Sequence, residues 1–168
     1  MKAILLIAVL VFVSSSAFAQ DEIPFRSQSN IILQIFQVDQ TLAQAGSVHT
    51  AVVYDSDQDG AEEMTDILDG RGLDVHTLSI SEFEDEAPNF SVVYYTSETE
   101  PDSDLTAEHE ILSIGTNEQH FNDGVLSISF NLDDDQQVMI QVNRDQLDNE
   151  NHQMEEGFFD LDRVVATN

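Results

Sequence analysis

The sequence predicts an α/β three-layer sandwich: a mostly parallel sheet between helices, with a C-terminal antiparallel hairpin and a docking C-terminal helix. Three observations predict it. Strand-length apolar runs alternate with helical stripes through the first two thirds of the chain. The strand–helix–strand unit over residues 48–80 has the length a parallel crossover requires. Two alternating runs then flank the acidic turn Asp133-Asp134-Asp135, as in a hairpin.

Taken in order, the elements begin after a flexible lead-in at residues 21–30. Ile31, Ile35, Val38 and Leu42 recur at helical spacing, with Ser29 or Asn30 as cap and Gly46 as stop. Residues 48–54 read as a buried strand and 55–60 as a turn. Ala61, Met64, Ile67 and Leu68 mark one face of a second helix that stops at Gly70-Arg71-Gly72. Residues 73–80 form a second strand, 83–89 an acidic connection and 90–96 a third strand. The loop at 97–104 contains Pro101, a short helix fits 105–109, and 111–114 is a fourth strand ending at Gly115. Leu126, Ile128 and Phe130 alternate on one face, as do Val138, Ile140 and Val142. Met154, Phe158, Leu161 and Val165 form a stripe for the closing helix.

Residues 1–19 have the order of a secretory signal: Lys2, an apolar run over 4–13, three serines and Ala17-Phe18-Ala19. The run is shorter than the about 20 residues a bilayer span needs. Cleavage is expected after Ala19, giving an exported, periplasmic single domain over 20–168, with no membrane insertion once the signal is removed. The chain has 33 acidic and 5 basic residues, a formal net charge of −28. Such charge pushes a compact state apart in dilute buffer. Molar salt shortens the Debye length to about 3 Å and screens it. With 41% hydrophobic residues at clear periods, the balance reads as a folded core in a halophile-type acidic shell rather than as disorder. Nucleic acid and anionic membrane surfaces, both polyanions, are excluded as partners. The absence of cysteine removes thiol nucleophiles, thiolate zinc and iron–sulfur sites.

The sharpest motif is Asp55-Ser56-Asp57-Gln58-Asp59-Gly60, whose alternate carboxylates open a calcium-type loop. Position twelve is Asp66 rather than the usual glutamate, Glu62 stands where an apolar residue belongs, and the motif follows a strand. Asp55, Asp57 and Asp59 are therefore weak metal candidates beside the simpler reading, an acidic turn capping the next helix. The five histidines form no H-x-x-x-H or H-x-H pair. There is no G-x-S-x-G and no G-x-x-x-x-G-K, and paired carboxylates are too common here to single out an acid–base site. No catalytic residue, cofactor or metal is assigned.

Residues 111–165 resemble the YfiR-like family of small periplasmic proteins. The resemblance is carried by Ile111-Leu112-Ser113-Ile114-Gly115, by residues 121–128, by the strand ending in Val142-Asn143, and by residues 158–165, which match the family's closing helix. Residues 31–42 and 48–55 match its first helix and strand more weakly. Asp123-Gly124 stands where the family has paired glycines, and the family's tryptophan and cysteines are absent. The resemblance implies a non-enzymatic regulator that binds the periplasmic domain of a membrane-anchored diguanylate cyclase, restraining cyclic-di-GMP synthesis and biofilm formation. The alternatives are a small-solute-binding periplasmic protein and a calcium-stabilised exported domain. For solute binding, parallel sheets offer their carboxyl strand ends, here Asp55, Ser81, Ser97 and Gly115-Thr116-Asn117.

Overall fold

A computed structural model describes residues 23–168. The signal sequence expected at 1–19 lies outside the described residues. Seven strands form one sheet: β1 (His49–Tyr54), β2 (Asp74–Ser79), β3 (Val92–Tyr95), β4 (Leu112–Gly115), β5 (Ile128–Leu132), β6 (Val138–Asn143) and β7 (Val164–Thr167). Their order is β2-β1-β3-β4-β5-β6-β7. β2, β1, β3, β4 and β5 are mutually parallel, and β5–β6 is the antiparallel hairpin. The order 2-1-3-4-5 is that of a flavodoxin-like doubly wound sheet.

The central strands read as unbroken apolar runs because both their faces are covered. On one face Val52, Val92, Tyr94, Leu112 and Ile114 pack with Ile32 and Ile35 of α1 (Phe25–Val38) and with Ala61, Met64 and Leu68 of α3 (Gln58–Asp69). Between them lies the short α2 (Gln40–Gln44). On the other face Ala51, Val53, Val93 and Tyr95 pack with Phe83 of α4 (Ile80–Glu86) and with Ala87 and Phe90. Leu105 of α5 (Ser103–Glu108) joins this second cluster. The helix after β1 and the helix after β3 thus leave to opposite faces. The three layers and the hairpin are as the sequence predicts.

Several details differ. α1 starts at Phe25, inside the expected lead-in, with Ser29 buried in its middle rather than capping it. The helix breaks at Asp39, whose extended backbone and carboxylate start α2 by accepting from the N–H groups of Thr41 (2.8 Å) and Leu42 (3.1 Å). The acidic connection after β2 is α4, started by a reciprocal Ser79–Glu82 capping box. Asn117 and Asn143 cap two further short helices, α6 (Glu118–Asn122) and α7 (Arg144–Asn149). Leu126 does not share the face of Ile128 and Phe130; it turns to the second cluster, where its Cδ1 lies 3.0 Å from the place a Cβ on Gly115 would take.

The C-terminal helix is the main correction. Residues 154–168 contain a single 3-10 turn, Glu156–Phe158, and then β7, which pairs parallel with β6. Met154 and Phe158 are buried as the stripe requires, but Leu161 is 52% and Val165 46% exposed. Gly157 weakens a helix through this stretch by about 1 kcal/mol relative to alanine. β6 offers an open edge whose hydrogen bonds the Val-Val-Ala-Thr segment fills. The part of the family resemblance that rested on a closing helix at 158–165 falls on this turn and strand.

Candidate functional site: a cleft at the carboxyl ends of the strands

Because the connections after β1 and β3 go to opposite faces, a crevice opens between them at the carboxyl ends of the strands, where open α/β sheets bind ligands. A cleft of about 1480 Å³ lies there. Its walls come from Asp57 after β1, Thr96, Ser97 and Glu98 after β3, Thr116 and Asn117 after β4, and Asn131 and Leu132 at the end of β5. The first turn of α1 closes one side with Phe25, Arg26 and Gln28.

The frame of this cleft is tightly bonded. Thr99 Oγ accepts from the Asp55 N–H (3.0 Å) and lies 2.8 Å from Thr96 Oγ, which ties the loop after β3 to the loop after β1. Asn117 donates its amide to the Ser97 carbonyl (2.9 Å) and accepts from the Gln119 N–H (2.9 Å), so it joins the β3 and β4 loops while starting α6. Beneath, the Tyr94 hydroxyl donates to Gln28 Oε1 (2.6 Å), and Gln28 donates to the Ile23 carbonyl (2.7 Å), which anchors α1 to the sheet. The cleft side chains bear one guanidinium, Arg26, against the carboxylates of Asp57, Glu63, Glu98 and Glu118. Every ion pair among the described residues uses a histidine, and none involves these groups.

Of the sequence-predicted strand ends, Ser97, Thr116 and Asn117 line the cleft; Asp55, Ser81 and Gly115 do not. The aspartate motif is divided by the start of α3. Asp57 caps the helix by accepting from the Gly60 N–H (3.0 Å), Asp59 sits exposed in its first turn, and Asp55 is exposed before it. A Cβ at position 60 would fall 2.2 Å from Asp57 Oδ2, so glycine is what allows this cap. Among the described residues no three His, Asp or Glu side chains gather to hold a metal. Arg26, Glu63 and Asn131 were not singled out from the sequence; Pro24 ahead of an apolar stripe was the available sign that α1 begins early enough to reach the cleft.

The histidines lie elsewhere. At the amino ends of β1 and β2, Ser47 Oγ meets His49 Nε2 at 3.0 Å, His49 Nδ1 meets Asp74 at 2.8 Å, and His76 Nε2 meets the other Asp74 oxygen at 3.2 Å. The connectivity is that of a Ser–His–Asp relay, but the His49 and Asp74 side chains are 40% and 55% exposed, with no wall to exclude water. His120 pairs with the exposed Glu100 at 3.2 Å. His152 is buried, with Nδ1 2.7 Å from Asp39 and Nε2 3.2 Å from the Glu110 carbonyl. Each ring nitrogen thus faces an oxygen, one from α1's end and one from the segment before β4.

Glu150 is the other fully buried carboxyl. It accepts from the Ser113 N–H (3.0 Å) and from Gln146 (3.0 Å), and bonds the Ser127 hydroxyl. Burial pushes its pKa up, against these hydrogen bonds, because no cation faces it. Burial, with the nearby Glu150 charge, likewise raises the Tyr95 phenol. Among the described residues no helix is long and apolar enough to cross a membrane. No protein-family model matches the chain, and no curated protein matches it either.

Proposed function

We propose that this chain is a non-enzymatic, exported binding and regulatory domain, which receives a small solute in the switch-point cleft. The observation that carries the reading is the cleft itself: its walls come from the carboxyl ends of β1, β3, β4 and β5, and its frame is held by Asn117 and the Thr96–Thr99 pair. The signal-like residues 1–19 support a periplasmic location. The resemblance to YfiR-like proteins supports an output: occupancy of the domain restrains a membrane-anchored diguanylate cyclase or similar signalling protein. Calcium stabilisation at Asp55, Asp57 and Asp59 is the weaker reading, since Asp57 is engaged as a helix cap.

The test is genetic and uses a variant that keeps the fold. Deleting the gene should raise cyclic-di-GMP, and the wild-type chain should restore it. Ser97→Trp, which fills the cleft from a loop, should fold by circular dichroism yet fail to restore regulation. Full restoration by a folded Ser97→Trp chain would remove the cleft from the function. An unchanged cyclic-di-GMP level on deletion would remove the cyclase.

A further inference from the structure

Carboxylates are spread along this chain except over one pair of helices. Thirty of the 33 acidic residues follow residue 54. Across residues 23–54 the one acidic side chain is Asp39, and it is fully buried. The outer surface of α1 and α2 therefore carries no carboxylate. On the same face of the sheet, α3 exposes Asp59, Glu62, Glu63, Asp66 and Asp69. We propose that the α1–α2 face is where two copies of this chain meet, through an α1–α1 contact centred on Leu33. Arg26, Asn30, Leu33 and Gln37 recur at spacings of four, three and four, the seam by which two helices pack side by side. Arg26, Asn30 and Gln37 are exposed, and the half-buried Leu33 belongs to neither core cluster. An apolar side chain left out of the core and ringed by neutral polar groups is the make-up of an interface centre.

The seam fits its own copy better than it fits other surfaces. A twofold contact sets one patch against itself, so the patch must be complementary to itself. A carboxylate surface fails that condition. An amide surface meets it, because each Asn or Gln side chain both donates and accepts. With the helices antiparallel about a twofold axis at Leu33, Leu33 meets Leu33, Asn30 meets Gln37 amide to amide, and Arg26 reaches the Gln40 side chain. A basic partner would gain more at α3, where carboxylates are dense, and an acidic partner would find only Arg26. A helix that lies on a membrane needs a wide apolar face flanked by cations, and this stripe has one leucine and one arginine. The 14 residues of α1 span about 21 Å. One such seam buries less than the about 800 Å² per partner of a standard interface, so the dimer is weak and depends on concentration.

Sedimentation equilibrium of the purified chain in molar NaCl tests this. The wild type should show a reversible monomer–dimer equilibrium. The near-isosteric double variant Asn30→Asp/Gln37→Glu sets carboxylates against each other across the seam and should weaken the dimer about tenfold, with circular dichroism unchanged. Asn89→Asp/Asn122→Asp adds the same charge at exposed asparagines elsewhere and should dimerise as the wild type does. Because the chain has no cysteine, Leu33→Cys introduces a lone thiol at the axis, and mild oxidation should link it to its copy far faster than it links Asn89→Cys. A wild type that stays monomeric at every concentration overturns the proposal; if Asn30→Asp/Gln37→Glu then also fails to restore cyclic-di-GMP regulation, the face serves a different protein. Equal weakening by both double variants would assign the effect to net charge and overturn it too. A dimer that survives the seam variant, or a Leu33→Cys chain that links no faster than Asn89→Cys, moves the contact away from Leu33 and overturns it as well.

Discussion

The two ends of the sheet use carboxylates in opposite ways. At the amino ends of the strands, Asp39 and Glu150 are fully buried and hydrogen-bonded. Asp39 accepts from two backbone N–H groups and the His152 imidazole, and Glu150 accepts from two side chains and one N–H. At the carboxyl ends, Glu63, Glu98 and Glu118 are exposed, and only one oxygen of Asp57 is engaged. A buried polar group with every acceptor filled fixes segments to one another and has no bond left to offer. An exposed carboxylate is bonded to water and can exchange that water for another partner. In a chain with 33 acidic residues, satisfaction separates scaffold from candidate site better than identity does.

The largest expected effect separates the two ends by salt. Exposed carboxylates repel one another through solvent, so the thermal midpoint should climb steeply from dilute buffer to molar salt and then level off. A flat response to both NaCl and KCl would show that repulsion among exposed carboxylates does not limit stability. Next is Asp39→Ala, which removes the α2 cap and leaves the buried His152 Nδ1 without its partner. Breaking a buried pair costs about 3–5 kcal/mol, measurable by denaturant unfolding in high salt. A loss below about 1 kcal/mol would mean that this buried pair holds nothing in place.

Glu150 sharpens the comparison because no imidazole stands beside it as His152 stands beside Asp39. Burial raises its folded pKa above the unfolded value. Its carboxyl therefore favours the fold below the unfolded carboxylate range, and that contribution is lost as pH rises through the folded pKa. Glu150→Gln should melt higher than the wild type at pH 8, by about 2–4 °C for each kcal/mol relieved, with Gln146 turning its amide to suit. The difference should close toward pH 4. A variant less stable than the wild type at pH 8 would show that the ionised carboxylate is favourable where it lies.

The core was legible because burial on both faces writes itself as apolar runs, such as Val52-Val53 and Val92-Val93, and on helix faces as the Ala61, Met64, Leu68 spacing. The hairpin was legible for the same reason, through Ile140 and Val142. Short helices were not. α4 buries only Phe83 and α6 only Phe121, so neither has a period to detect; their signals are the caps Ser79–Glu82 and Asn117. The closing helix misled because Met154 and Phe158 are buried at helical spacing without a helix, while the edge of β6 takes the residues that follow. Of the cleft, Ser97, Thr116 and Asn117 followed from strand ends. Arg26 and Asn131 came from tertiary arrangement, since the start of α1 reaches the carboxyl end of β5 only through the fold.

The most direct test of the central claim is residue-resolved. In amide NMR spectra of the isotope-labelled chain in high salt, titrated in turn with cationic, neutral and anionic small solutes, one of them should shift residues 96–98, 116–119 and 131 together and saturably. The equally acidic turn Asp133-Asp134-Asp135 should respond only weakly. Shifts spread evenly over acidic surface residues, or strongest at that turn, would contradict a ligand site between the ends of β1 and β3.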